Sequence, residues 1–208
     1  TIAPFLVERA YEQIKVDIGY QNTEVTIVTV GGTYDYSSLG CTHHCYGDIA
    51  LMRTIPNMEV YEPGNSYEFE KLFQDTWKNG KPKYFRLSNH IHTQNFEVEA
   101  NIRHSKNKKW IFVCGHLLDD VIQKEDYGIC YVSSFNKISN HDEILELIKD
   151  ADTIYSVENH LKVGGMGDFI HESFGCNIKK IGLDTKFLSE YGTYEELKND
   201  AGMSTKDI

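Results

Sequence analysis

G-C-T-H-H-C-Y-G-D-I-A-L-M-R-T-I-P-N, residues Gly40 to Asn57, is the stretch from which the rest of the chain can be read. His43 and His44 sit side by side in a run of small and polar residues. Gly47 and Asp48 then open a short helix with Asp48 as its expected N-cap. Ile49, Ala50, Leu51 and Met52 form its apolar body, and Pro56 ends it. A histidine pair on a loop, held by the helix that follows, is a common way to present imidazole to a ligand.

Working outward, the pattern alternates between strand and helix. Phe5 to Tyr20 reads as a helix, because Leu6, Ala10 and Ile14 recur at steps of four. Glu24 to Val30, E-V-T-I-V-T-V, is a buried-type strand that Gly31 and Gly32 break. Downstream of the short helix, Met58 to Tyr61 is a strand. Asn65 and Glu68 are spaced like a capping box at the start of the next helix. Tyr67, Leu72, Phe73 and Trp77 supply its apolar side, and Lys83 to Leu87 is the strand after it. A second series begins at Trp110, with strands at Trp110 to Cys114, Ile129 to Ser133, Thr153 to Val157 and Ile178 to Ile181. Helices at Leu117 to Lys124, His141 to Lys149, Asp168 to Phe174 and Tyr194 to Ala201 alternate with them. Such alternation predicts an α/β fold of two parallel-type α/β domains. Ser88 to Lys109 is polar and aperiodic, with at most a short strand or hairpin around Phe96 and Val98. It reads as the connection between domains spanning 1–95 and 108–208.

Composition narrows the class. The chain has 208 residues, a formal charge of −10 and 40% hydrophobic residues, enough for a packed core. No basic patch with interleaved aromatics is visible, which excludes nucleic acid, and the acidity argues against an anionic membrane surface. No apolar run reaches the roughly 18 residues of a membrane-spanning helix, and no signal peptide is visible. The cysteine count is odd, at five, which points to a reducing compartment and so to the cytoplasm. The first residue is Thr1 rather than methionine, so a preceding segment is expected.

Cys41, His43, His44 and Cys45 are four potential zinc ligands within five residues. They are too compact to close a tetrahedron without a second cluster, so no structural metal is expected there. Two readings stay open for the histidines: hydrogen-bonded turn residues, or imidazoles that meet a substrate or cofactor.

The order A-P-F-L-V-E-R-A-Y-E-Q, a strand, G-C-T-H-H-x-x-x-D-I-A-L-M-R-T-I-P-N, then Pro63 with Glu68, resembles the pyrimidine-binding domain of transketolases. V-E-N-H-L-K-V-G-G-M-G and the ending I-G-L-D…F…Y-G-T-Y-E-E-L resemble their C-terminal domain. The resemblance covers nearly the whole chain and implies the C-terminal half of a split or truncated transketolase. It implies thiamine diphosphate with magnesium as cofactor, and transfer of a two-carbon ketol unit between a ketose and an aldose. Phe5 falls near the aromatic that stacks on the aminopyrimidine ring, within one residue, and Tyr11 is the other candidate for that pocket. His43 matches the family's substrate-facing histidine, a residue type suited to bonding sugar oxygens and shuttling protons. His44 is expected to shape the loop at the substrate's edge. Arg53 is expected in a structural ion pair. Many relatives place an aspartate four residues before the first histidine, where this chain has Leu39. The arginine that contacts substrate phosphate falls at Asn89, with Arg86 the nearest arginine and the candidate in its place. The glutamate that activates the aminopyrimidine would precede Thr1, and the family's G-D-G…N diphosphate and magnesium motif is missing. A partner subunit or N-terminal part carrying that motif is therefore expected, in a homo- or hetero-oligomer acting on a sugar or sugar phosphate. The competing expectation is a non-catalytic assembly subunit that keeps the fold. G-G-M-G lacks the G-x-G-x-x-G spacing of a dinucleotide loop and is expected to serve tight helix packing.

Overall fold

The computed structural model describes residues 1–95, 102–187, 189–206 and 208. The first helix (α1, 4–20) begins with a π-wound turn at Pro4–Glu8, passes through an α-turn at Tyr11–Gln13, and ends π-wound at Ile14–Tyr20. Strand β1 (Thr26–Val30) follows, then a long loop, helix α2 (Asp48–Arg53), strand β2 (Glu59–Tyr61), helix α3 (Ser66–Thr76) and strand β3 (Lys83–Leu87). The three strands form one parallel sheet in the order β1-β3-β2. β3 is central and buried on both faces, as its K-Y-F-R-L run requires.

The second sheet is built from β4 (Ile102–Arg103), β5 (Lys109–Val113), β6 (Gly128–Tyr131), β7 (Thr153–Leu161) and β8 (Lys179–Leu183). Their order is β4-β6-β5-β7-β8. Strands β5 to β8 pair in parallel, while β4 is a short antiparallel edge that the sequence pattern did not disclose. Its Arg103 caps the chain after α4 (Leu118–Val121), donating to the carbonyls of Ile122, Lys124 and Tyr127. The helix expected over Leu117 to Lys124 is shorter, a 3₁₀ turn at Gly115–Leu117 leading into α4. Phe96 and Val98 lie outside the described residues. No helix among the described residues is long and apolar enough to cross a membrane.

The two sheets share one core. Ile27, Val60 and Tyr84 from the first half pack in the same cluster as Trp110, Phe112 and Ile170 from the second. Backbone bonds join the halves as well: Glu62 N–H donates to Ser133 O at 2.9 Å, and Phe135 N–H to Val60 O at 2.9 Å.

Two expected helix caps are rearranged. Asn65 accepts from the Glu68 amide at 2.9 Å, but the Glu68 carboxylate accepts instead from Gly64 N–H at 2.7 Å, besides meeting His92 and Tyr131. Gly47 occupies the N-cap of α2 with no side-chain cap. Asp48 is the first helical residue and its carboxylate turns inward.

Strand β7 runs four residues beyond the expected Val157, so V-E-N-H-L lies in the sheet. There it bulges: Val157 pairs with Ile181 and Leu161 with Leu183, leaving Glu158, Asn159 and His160 opposite Gly182 alone. The bulge drives Glu158 into the amino end of α6 (Met166–Phe174). The carboxylate accepts from Met166 N–H at 2.5 Å and Gly167 N–H at 3.1 Å. The G-G-M-G run thus makes room for a buried carboxylate. A Cβ on Gly165 would sit 2.0 Å from Glu158 Oε2 and 2.7 Å from His160 Nδ1. Gly165→Ala is expected to cost about 2–3 kcal/mol of stability by overpacking. At Gly47 the nearest atom to a Cβ would be 3.8 Å away, and Gly47→Ala should shift stability by under about 1 kcal/mol. Urea denaturation of the two variants checks this; equal losses would contradict it.

Candidate functional site

Strand β1 ends at Gly31 and Gly32, and the chain then leaves the sheet as a loop closed at its neck. Thr33 N–H donates to Cys45 O at 2.6 Å and Cys45 N–H donates to Thr33 O at 3.0 Å. Residues 34–44 hang from this neck and carry both histidines. Ile2 bridges Val30 in parallel register, which starts α1 at the carboxyl end of β1. Parallel sheets place ligands at that end, because the loops there diverge. Phe5 and His43 meet in this position, with ring centroids 5.0 Å apart and planes at 69°. The Arg9 guanidinium covers one face of Phe5 at 4.3 Å from its centroid. His43 is half-buried; its Nδ1 lies 3.0 Å from Thr42 Oγ1, and its Nε2 makes no hydrogen bond to any described residue.

Beneath the loop lies a buried charged network. Arg86, from the central strand β3, is 2% exposed. Its Nε donates to Asp48 Oδ2 at 3.0 Å, its Nη1 to Glu62 Oε1 at 2.7 Å and its Nη2 to Thr33 Oγ1 at 2.7 Å. Tyr84 OH also donates to Asp48 Oδ2, at 2.6 Å. Burial alone would lower the Arg86 pKa, but Asp48 and Glu62 beside it outweigh that and raise it. Burial raises the pKa of Glu62, with the Arg86 charge pulling the other way. Two carboxylates against one guanidinium, all out of water, hold together because nearly every donor of the planar fork has an acceptor.

The second half meets this network from the bulge in β7. His160 Nε2 accepts from Ala50 N–H in α2 at 3.2 Å, and its Nδ1 reaches Leu161 O at 2.8 Å. Burial pushes the His160 pKa down to about 4, so the ring is neutral and can accept. Glu158, mainly through burial and despite the Gly167 and Met166 amides, is pushed up to about 8. Arg53 in α2 donates to Gly164 O at 2.6 Å, to Gly165 O at 3.1 Å and to Glu172 at 2.6 Å. It forms an ion pair as expected, one that also locks the glycine loop from outside.

The residues expected at the site are distributed as follows. Phe5 and His43 come together. Tyr11 does not join them: its hydroxyl bonds Thr54 Oγ1 at 2.5 Å and its ring packs on the main core. His44 turns inward at 3% exposure, edge-on to Tyr34 at 4.9 Å, and burial lowers its pKa. It shapes the loop, its Nε2 lying 3.4 Å from Ser37 O. Arg86, expected near substrate phosphate, is the interior clamp just described. Its guanidinium is enclosed by Asp48, Glu62 and Thr33, and an anion could reach it only by displacing them. Asp48 is its ion partner rather than a cap. Cys41 is exposed while Cys45 is buried, and the four side chains of the C-T-H-H-C run diverge. Among the described residues, no group of three or more His, Cys, Asp or Glu side chains is arranged to hold a metal ion.

Several residues of this site escaped the sequence reading: Thr33, Glu62, Glu158 and His160. A signal was present for some. Glu158 and His160, at the end of T-I-Y-S-V-E-N-H-L, are titratable groups continuing an apolar strand run. Such groups need buried partners.

Residues 1–92 match the family described as transketolase, pyrimidine binding domain. An apulose-4-phosphate transketolase subunit of Actinobacillus succinogenes is 29% identical over 205 residues, covering 91% of this chain and 66% of that protein. A 6-deoxy-6-sulfo-D-fructose transketolase subunit of a Clostridium species is 24% identical, covering 97% of this chain and 69% of its own. In fold, the chain superimposes with a TM-score of 0.82 on a split gene transketolase solved as an inactive beta4 tetramer. The match covers 99% of this chain and 71% of that one at 20% identity. A transketolase mutant from Pichia stipitis gives a TM-score of 0.78 over 98% of this chain and 31% of that one, at 16% identity. In sequence this chain is similar to transketolase subunits, and in fold to part of the transketolase chain.

The neutral His160 gives a testable pH dependence. Its pKa is depressed from an ordinary 6.5 to about 4, so its contribution is complete above pH 6.5 and is lost as pH falls towards 4. In urea denaturation, wild type should exceed His160→Gln at pH 7.5. The gap should narrow by roughly 3 kcal/mol between pH 6.5 and 4. A gap independent of pH would refute the neutral, accepting imidazole.

Proposed function

We propose that this chain is the C-terminal subunit or part of a thiamine-diphosphate-dependent transketolase. It moves a two-carbon ketol unit from a ketose to an aldose or aldose phosphate. Residues 1–95 act as the pyrimidine-binding domain and 108–208 as the C-terminal domain. The observation that carries this reading is the meeting of Phe5 and His43 at the carboxyl end of β1, 5.0 Å apart with His43 Nε2 left open.

The residues present fit one end of the cofactor. Phe5 offers one aromatic face, the other being held by Arg9, and an aromatic ring is suited to a planar aminopyrimidine. The diphosphate and magnesium end is assigned to a partner subunit or an N-terminal part, because no G-D-G…N motif lies within these residues. When bound, thiamine diphosphate supplies the electron sink that such carbon–carbon cleavage needs. Within this chain, His43 bonds the sugar oxygen on which charge develops and moves a proton at Nε2. Its Nδ1 contact with Thr42 orients the ring.

The sugar is read as one outside the common pentose phosphates. Leu39 stands half-exposed at the position of the usual aspartate, Asn89 stands at that of the arginine, and the two relatives compared above are named for an apulose phosphate and a sulfo-sugar.

With ketol transfer reconstituted by the partner, His43→Ala should lower turnover by about 10²–10⁴-fold. It should leave the stability of the chain within about 0.5 kcal/mol. Steady-state kinetics and urea denaturation check both, and wild-type turnover in His43→Ala would overturn the role. Separately, calorimetry on the isolated chain should show no binding of thiamine diphosphate at micromolar concentrations. Micromolar affinity of the chain alone would remove the need for a partner's diphosphate site.

A further inference from the structure

We infer that Thr33 is a positioning residue: a strained clasp that, together with Arg86, fixes the loop bearing His43 to both halves of the chain. This rests on the reading of His43 as the group that faces substrate.

The backbone supplies the first argument. Thr33 is β-branched, yet its φ is +50°. Side chains branched at Cβ rarely adopt that region, and glycine is the residue that normally does. Such strain persists only where the surroundings over-determine it, and it gathers at functional sites. Here the surroundings do so completely. Thr33 is fully buried. Its N–H and C=O both bond Cys45, at 2.6 and 3.0 Å, and close the neck of the loop. Its hydroxyl accepts from Arg86 Nη2 at 2.7 Å and donates to the carbonyl of Asn159. Glycine would meet the backbone demand without strain, but it has no hydroxyl to join those two groups.

The second argument is where the partners come from. Arg86 belongs to β3 and Asn159 to the bulge of β7, so one hydroxyl bridges the two sheets. Gly32 makes this approach possible, since a Cβ there would lie 2.6 Å from Arg86 Nε. Two residues beyond Thr33, Asp35 ties the same loop to the chain after β3, accepting from Ser88 Oγ at 2.8 Å and Asn89 N–H at 3.0 Å. The loop is thus anchored at neck and shoulder, and its far side carries His43 against Phe5. The second half of the chain thus helps to set the position of His43 through the Asn159 carbonyl.

The test uses the full chain alone, then the reconstituted complex. Amide exchange of Thr33 and Cys45 and the ring resonances of His43 are measured by NMR in Thr33→Ser, Thr33→Val and Thr33→Gly. Thr33→Ser keeps the hydroxyl and should match wild type. Thr33→Val and Thr33→Gly should show neck amides exchanging about tenfold faster or more, with the His43 resonances displaced or broadened. Thr33→Gly also relieves the backbone strain, so its melting midpoint should equal or exceed that of Thr33→Val. A loose loop without a matching loss of stability separates positioning from plain support of the fold. Should Thr33→Val fail to fold, Thr33→Gly carries the comparison. Wild-type exchange and His43 resonances in Thr33→Gly, or a Thr33→Ser variant as loose as Thr33→Gly, would overturn the clasp. In the complex, Thr33→Gly should lower kcat about tenfold or more with KM little changed, and Thr33→Ser should restore it. A loosened loop with unchanged kcat would leave the clasp standing and refute the role given to His43.

Discussion

The structure depends on the ion pairing of one buried arginine. Arg86 lies in the central strand of the first sheet, enclosed by Asp48, Glu62 and Thr33. Desolvating three charges is expensive, and the mutual attraction offsets this only because the fork geometry satisfies nearly every donor. The consequence is specificity of arrangement more than stability. Asp48 fixes where α2 begins, Glu62 where β2 ends, and Thr33 where the histidine loop leaves the sheet. A rearrangement of any of the three would leave one arm of the buried guanidinium without its acceptor.

The second half extends this constraint. Its β7 bulge carries three consecutive polar residues into the space between the sheets. Glu158 occupies the amino end of α6, Asn159 offers its carbonyl to Thr33, and His160 accepts from α2. Arg53 returns the contact from α2 to the glycine loop. Continuous apolar packing between the sheets supplies the bulk of the cohesion, while these directional bonds set the register between the halves. Their consequence for function is that the loop beside Phe5 is placed by residues distributed over the whole chain.

Much of the fold was legible in the sequence because periodicity reports burial directly. β-branched runs such as E-V-T-I-V-T-V favour strands, here formed by Thr26–Val30, and the four-residue spacing of α3 and α5 (His141–Ile148) shows their apolar sides. The two-residue strand β4 was not legible, since it is too short to carry a period and owes its existence to the exposed edge of β6. Asp48 was misread for a related reason: an acidic residue opening a helix fits a cap locally, and only the presence of Arg86 from a distant strand draws it inward.

What the sequence by itself determined was the alternation of strand and helix, the placing of two histidines on a loop between β1 and α2, and the resemblance from which Phe5 and His43 were singled out as candidates. Those properties are local, or lie in a contiguous motif. The tertiary structure decided which of the candidates share a surface. It brought Phe5 to His43, turned His44 into the interior, moved Tyr11 onto the core, and enclosed Arg86 as a clamp. It also gave Thr33 a conformation that no local preference favours. Each of these outcomes depends on long-range hydrogen bonds and on the cost of leaving buried polar groups unpaired. Side-chain spacing along the chain carries no record of either.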